Sequence, residues 1–315
     1  MGDILFISST RIGDAVLSSG ALAHAQKLFP EAGVVVACGR LPAPLFRATP
    51  NLKSLHVVDR RSSGGHWLPL WKALRGERFD LAIDLRGSLI TYGLRAKRRI
   101  RHAKSAQVRH KVEEISALMG APCPPRLHID AKAKADAATA GKGPLLALGP
   151  GANFIGKRWR PDRFAALARR LTGPLGALSG ARIVILGSDE DAVIAREIVD
   201  SLDADGLETI DLTGKLDLLA CAALLENATL FVGNDSGLMH IAAATGAATL
   251  GLFGPSDERV YGPWGVRTKA LRGRAYEEIM AVGPLQLIDR TLMDDVGVDA
   301  VEHAAGELMR AGGLA

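Results

Sequence analysis

Cysteine is scarce in this 315-residue chain: Cys38, Cys123 and Cys221 stand far apart, and none belongs to a Cys-x-x-Cys pair. That spacing argues against a disulfide framework or a cysteine zinc site and favours a reducing cytosol. Long apolar runs are missing too. No uninterrupted stretch approaches the ~20 residues needed to cross a bilayer. The opening Met1-Gly2-Asp3-Ile4-Leu5-Phe6-Ile7 sets an acid before an apolar run of four, which reads as neither a signal peptide nor an anchor. Charged residues make up only 23% against 48% hydrophobic, which excludes a disordered chain. No Gly-x-Gly-x-x-Gly follows the first strand of either half, which argues against a dinucleotide dehydrogenase.

What the chain has is length for two domains and a regular alternation of short β-rich runs with helical patterns, the signature of parallel sheets covered by helices. In the first half, Ile4–Ser8 reads as a strand and Asp14 to Phe29 as a helix stopped by Pro30. Val34–Cys38, Leu55–Val58 and Leu81–Asp84 read as further strands, and Val108–Met119 as a helix. An Ala, Lys and Gly stretch at 131–143 reads as a linker that an alanine-rich helix could partly fill. The alternation then restarts with strands at Leu145–Leu148, Arg182–Leu186, Leu230–Val232 and Ala247–Phe253. The expected boundaries are 1–140, 141–297 and a closing helical segment 298–315. Net charge is +5, but residues 1–140 carry 22 Lys and Arg against 11 Asp and Glu, which leaves the remainder at −6. Halves of opposite sign suggest different ligands, the first one polyanionic.

Three segments gather chemistry. In Thr10-Arg11-Ile12-Gly13-Asp14, directly after the first strand, Asp14 is either a helix N-cap or a general base towards a bound hydroxyl. Gly151 to Lys157 matches Gly-x-x-x-x-Gly-Lys, yet Arg158 stands where a P-loop needs Ser or Thr, and Pro161 starts the helix too late. The P-loop reading therefore fails. What survives is a loop whose amides and Lys157 hold phosphate oxygens, or a surface loop with a solvated lysine. In Gly233-Asn234-Asp235-Ser236-Gly237-Leu238-Met239-His240, Asp235 or Ser236 caps a helix, and Gly237 permits close approach. The free amides at the positive helix end suit a diphosphate. His240 taken alone reads as a structural hydrogen-bonder.

Two further patterns have a bland reading beside a functional one. Asp189-Glu190-Asp191 and Asp203-Ala204-Asp205 are formally Asp-x-Asp, but both fall at helix ends where solvated acids are expected, so no metal is expected. The basic run from Arg95 to Lys111 (Arg95, Lys97, Arg98, Arg99, Arg101, Lys104, Arg109, Lys111) is a solvated face or an anion site. It lacks interleaved aromatics, Tyr92 alone being near, which disfavours nucleic acid against a phosphorylated glycolipid or an anionic membrane surface.

The three segments, in this order and spacing, resemble the ADP-heptose:lipopolysaccharide heptosyltransferase family, glycosyltransferase family 9. Leu252-Phe253-Gly254-Pro255-Ser256 and Gly262-Pro263-Trp264-Gly265 are also similar to its pattern. The resemblance implies an α/β GT-B fold of two Rossmann-like domains facing each other across a cleft. The first would bind the acceptor, the second the nucleotide sugar, and helix 298–315 would return to the first. It implies inverting, metal-independent transfer of heptose from ADP-heptose, a substrate rather than a cofactor, to a lipid A-linked core acceptor. Asp14 matches the general base and Lys157 the lysine on the diphosphate. Gly151, Asp235, Ser236, Gly237 and His240 match the donor's phosphate and heptose site; Asp189 matches the acid on the ribose; Thr213, Gly214 and Leu216 border the adenine. Arg11, Gly13, Arg95, Arg98, Arg99 and Arg101 fall on the acceptor side. One departure stands: there is no cysteine between Gly265 and Val298, where the family has one. A cytoplasmic location with peripheral contact to the inner membrane face follows as an expectation. Other readings of the same scaffold are a different nucleotide sugar or glycan acceptor, a non-catalytic nucleotide-sugar binder, and a sugar-nucleotide epimerase.

Overall fold

The computed structural model describes residues 2–59, 65–102, 107–281, 283 and 288–311. The chain divides into two compact units, Met1–Asp130 and Ala131–Ala315. The boundary lies ten residues before the expected one because the alanine-rich stretch is structured. Helix 131–137 and a 3₁₀ turn at 138–140 occupy most of it.

The first unit runs β1 (Asp3–Ile7), α1 (Ile12–Leu28), β2 (Val34–Cys38), β3 (Leu52–Val57), α2 (Trp67–Leu74), β4 (Arg78–Asp84), β5 (Arg95–Arg101) and α3 (Lys111–Met119). Its sheet has the order β3-β2-β1-β4-β5, with every pairing parallel. Central strands of such a sheet are covered on both faces, which is why they read as unbroken apolar runs: all five residues of Val-Val-Val-Ala-Cys are buried. The helix expected from Val108 starts instead at Lys111. His110 takes the N-cap, its Nδ1 accepting from the Val112 amide at 3.2 Å, and Gly120 ends the helix at φ 72°. The basic run contains a strand that charge alone had hidden, β5. Lys104 of that run lies outside the described residues.

The second unit runs α4 (Ala131–Ala137), β6 (Leu145–Gly149), α5 (Pro161–Thr172), β7 (Arg182–Ile185), α6 (Ala192–Asp203), β8 (Thr209–Asp211), α7 (Leu218–Leu225) and β9 (Leu230–Asn234). It continues with α8 (Gly237–Ala244), β10 (Thr249–Phe253), α9 (Glu258–Tyr261), β11 (Thr268–Arg272), α10 (Tyr276–Met280) and α11 (Val298–Ala311). Its sheet is also parallel, ordered β11-β10-β9-β6-β7-β8. The closing segment expected at 298–315 is helical over Val298–Ala311. In the structure α11 packs on α5, β10 and β11, and Val301, Ala304, Ala305, Leu308 and Met309 join the second unit's core. Residues 312–315 of that expected segment lie outside the described residues. No helix among the described residues is long and apolar enough to cross a membrane.

Each sheet reverses its winding once: between β1 and β4 in the first unit, and between β6 and β9 in the second. In open parallel sheets a crevice opens at such a point, outside the carboxyl ends of the strands, and ligands bind there.

Candidate active site

In the first unit the turn after β1 holds Arg11, Gly13 and Asp14. Arg11 occupies the N-cap of α1 without a side-chain cap, so Asp14 stands inside the first turn and is not the cap. Among the described residues its carboxylate accepts only a long hydrogen bond from Ser9 Oγ, 3.4 Å, while the Ser9 hydroxyl accepts from the Arg11 amide at 3.2 Å. The N-cap reading is therefore overturned, and the half-buried carboxylate keeps acceptor capacity for a ligand. Beside it in register, Asp84 pairs with Ile7 at the end of β4. Asp84 is fully buried; burial pushes its carboxyl up, against the Ser88 hydroxyl and the Arg86 amide that donate to it. The sequence marked Asp84 only as a strand end, although a lone acid closing an apolar run was a usable signal.

The arginines expected on the acceptor side differ in their bonding. Arg95, Arg98 and Arg101 are exposed on β5. Arg99 instead donates to the carbonyls of Thr91, Leu94 and Ala96 at 2.7–2.8 Å, fastening the strand to the 3₁₀ turn Ile90–Gly93. Arg99 is exposed as well, and these bonds hold its guanidinium against the turn. At the end of β5, Glu114 of α3 accepts from His102 and Lys111, both at 2.6 Å. Burial opposes its charge, but the two donors outweigh burial and hold the carboxyl below its ordinary value. A depressed folded value means stability present above about pH 4.5 and lost as pH falls through the lower one. Glu114→Gln is therefore expected to lower the thermal midpoint at pH 7 and to narrow the gap between pH 7 and pH 4. A midpoint unchanged at both pH values overturns this.

In the second unit, the segments after β6 and β9 meet at the switch point. Lys157 Nζ lies 2.7 Å from Asp235 Oδ2, and His240 Nε2 lies 3.8 Å from Asp235 Oδ1. Asn234, named in the motif without a role, proves to be the organiser. Its side-chain amide donates to Pro150 O at 2.7 Å, and its Oδ1 accepts from the Trp159 amide at 3.1 Å. One buried amide thus clips both ends of the lysine loop. A later segment straps the same loop: Leu292 N donates to Gly156 O, Thr291 Oγ1 to Arg158 O and Trp159 Nε1 to Val296 O, at 2.6–3.1 Å.

Ser236 holds the N-cap position of α8, as the sequence suggested, but its side chain makes no capping bond, and its buried Oγ has no hydrogen-bond partner among the described residues. An uncapped helix start with a spare hydroxyl and a lysine close by is an anion site in physical terms. The P-loop alternative fails on structure as well, since Lys157 ends a 3₁₀ turn and α5 begins four residues later.

The remaining residues expected on the donor side, Gly151 apart, follow the ends of β7 and β8. Asp191 accepts from the Ser188 amide and hydroxyl in a capping box, and a Cβ at Gly151 would collide with its carboxylate. Asp189 is exposed and lies directly over Gly214, whose φ is +70°. Thr213 Oγ1 is buried without a partner among the described residues, and Leu216 is half-buried nearby in sequence. Gly214→Ala places a side chain in a left-handed conformation and onto Asp189. It is expected to cost about 1–2 kcal/mol of stability and to raise the donor KM; an unchanged KM with unchanged midpoint refutes the arrangement. The two Asp-x-Asp patterns sit at helix ends: Asp191 caps, and Asp205 pairs with Arg169.

Two Rossmann-like units of this kind, each wound about a switch point, have the GT-B fold. The model of glycosyltransferase family 9 (heptosyltransferase) matches residues 67–283. Lipooligosaccharide heptosyltransferase 2 of Haemophilus influenzae is 31% identical, covering 86% of this chain and 88% of its own. Among solved structures, Escherichia coli ADP-heptose LPS heptosyltransferase II aligns with TM-score 0.78 at 21% identity, covering 99% of both chains. A glycosyltransferase family 9 protein from Veillonella parvula aligns with TM-score 0.81 at 20% identity, over 98% of this chain and 97% of that one. The chain belongs to glycosyltransferase family 9, the heptosyltransferases, and its activity is glycosyl transfer.

Proposed function

We propose that this protein transfers heptose from ADP-heptose to a lipid A-linked lipopolysaccharide core acceptor, with inversion and without a metal ion. The names of its relatives support the substrates: one is a lipooligosaccharide heptosyltransferase and another an ADP-heptose LPS heptosyltransferase. The observation that carries the donor side is the Lys157–Asp235 pair at the uncapped start of α8. The diphosphate of the donor would take Lys157 and the α8 amides, with the Ser236 hydroxyl as a further donor.

Asp14 would remove the proton from an acceptor hydroxyl as that oxygen attacks the anomeric carbon. A C–O bond forms on one face while the bond to the β-phosphate oxygen breaks on the other, so the configuration inverts. The ADP formed carries the electron pair, and Lys157 with the helix start stabilises the charge that develops there. The exposed arginines of β5 would receive phosphates of the acceptor core.

The test is donor consumption with a core acceptor, with and without EDTA, and the anomeric configuration of the product. Full activity in EDTA and an inverted linkage are expected. Loss of activity in EDTA refutes metal independence, and a retained configuration refutes the single displacement. Thermal shifts with ADP, UDP and GDP test the base, with ADP expected to stabilise most.

A further inference from the structure

One surface of the first unit is left unexplained by donor and acceptor chemistry. Leu68, Leu89 and Tyr92 are 54%, 71% and 65% exposed. Single exposed apolar side chains mean little, but these three sit on neighbouring elements. Leu68 belongs to α2, Tyr92 to the 3₁₀ turn that follows β4, and Leu89 is that turn's N-cap residue. Trp71 Nε1 donates to Gly93 O at 3.0 Å and seats α2 against that turn.

The charged side chains within these segments are all basic. Leu68, Lys72 and Arg75 are spaced i, i+4, i+7 and share the outer face of α2, opposite buried Leu70 and Leu74. Arg95 is exposed just beyond the turn. No acidic residue occurs from Gly65 to Arg75 or from Leu85 to His102.

We infer that this face docks on an anionic lipid bilayer, with Leu68, Leu89 and Tyr92 at headgroup depth and Lys72 and Arg75 on lipid phosphates. Apolar and aromatic side chains ringed by Lys and Arg, without acids, have the composition of an interfacial anchor. The inference rests on the lipid-linked acceptor proposed above and adds to it a place on the molecule. The turn carrying Leu89 and Tyr92 continues directly from Asp84, which pairs with Ile7 just ahead of the Asp14 turn. A lipid-linked acceptor in the bilayer would present its sugars near that edge.

Co-sedimentation of the full chain with phosphatidylglycerol and with phosphatidylcholine vesicles tests the surface. Wild type is expected to bind the anionic vesicles and to release them at high salt. Lys72→Glu with Arg75→Glu is expected to weaken binding about 25-fold, from ~fivefold per basic residue lost. Leu68→Ser with Leu89→Ser and Tyr92→Ser is expected to weaken it at least about tenfold. All five side chains are solvent-facing, and unchanged thermal midpoints verify that the variants fold.

Equal binding by wild type and both variants overturns the inference, as does indifference of the wild type to anionic vesicles. So does a concentration-dependent dimer, seen by light scattering, that uses this face and leaves vesicles unbound. Activity separates this inference from the enzymatic one. On a de-acylated, soluble core acceptor the variants should equal wild type, while on vesicle-embedded acceptor they should fall. Absence of transfer by wild type to either acceptor refutes the proposed function and leaves the vesicle result standing.

Discussion

Asp14→Asn is expected to lower kcat by about 10²–10⁴-fold with the donor KM and the thermal midpoint near those of wild type. The substitution keeps size and shape and removes only basicity. Its structural cost is small because Asp14 is not the helix cap, and among the described residues its carboxylate takes only the 3.4 Å contact from Ser9 Oγ. Loss of a carboxylate from the first turn of α1 costs at most about 1 kcal/mol through the helix dipole, far less than the predicted change in barrier. Ser9→Ala serves as a control. It removes that contact and the acceptor for the Arg11 amide, so a role in shaping the turn would show there as strongly as in Asp14→Asn. Full turnover by Asp14→Asn would sink the assignment of this carboxylate as the base.

Lys157→Ala carries the second large effect, and it has two parts that can be separated. Without the lysine the developing diphosphate charge loses its side-chain cation, an expected loss of about 10²–10³-fold in kcat. In the free protein Asp235, whose side chain is 9% exposed, is left charged beside His240 at 3.8 Å. Breaking a buried pair costs about 3–5 kcal/mol, and less at this site because the lysine side chain retains 21% exposure. The double change Lys157→Ala with Asp235→Asn removes the stranded charge. It should recover much of the thermal midpoint while turnover stays low. Recovery of both would mean that Lys157 only neutralises Asp235.

Much of this was legible because parallel sheets buried on both faces write themselves as apolar runs, and their crossover helices fall between. The site was legible for a related reason. Polar and glycine-rich segments directly after the strands at Ile7, Gly149 and Asn234 interrupt that pattern where the winding reverses. Other features depend on partners that a linear pattern does not name. The stripe Val301, Ala304, Ala305, Leu308 shows that one face of α11 is buried, but not that its partners are α5, β10 and β11. Arg95 and Arg99 look alike in a basic run, yet only Arg99 is bound to three carbonyls. Asn234 sat inside a recognised motif. Its role depends on Pro150 and Trp159, 84 and 75 residues away in the chain.

The strap across the lysine loop bears on how the protein is made. Trp159 and Arg158 are held by Val296 and Thr291, which are 137 and 133 residues later in sequence. A nascent chain has all six strands of the second sheet before those residues leave the ribosome, and it still lacks the fastening of the Lys157 loop. The lysine loop is therefore fastened only once Thr291 and Val296 have been made. A premature stop a few codons before Thr291 would act as a catalytic lesion as much as a folding one.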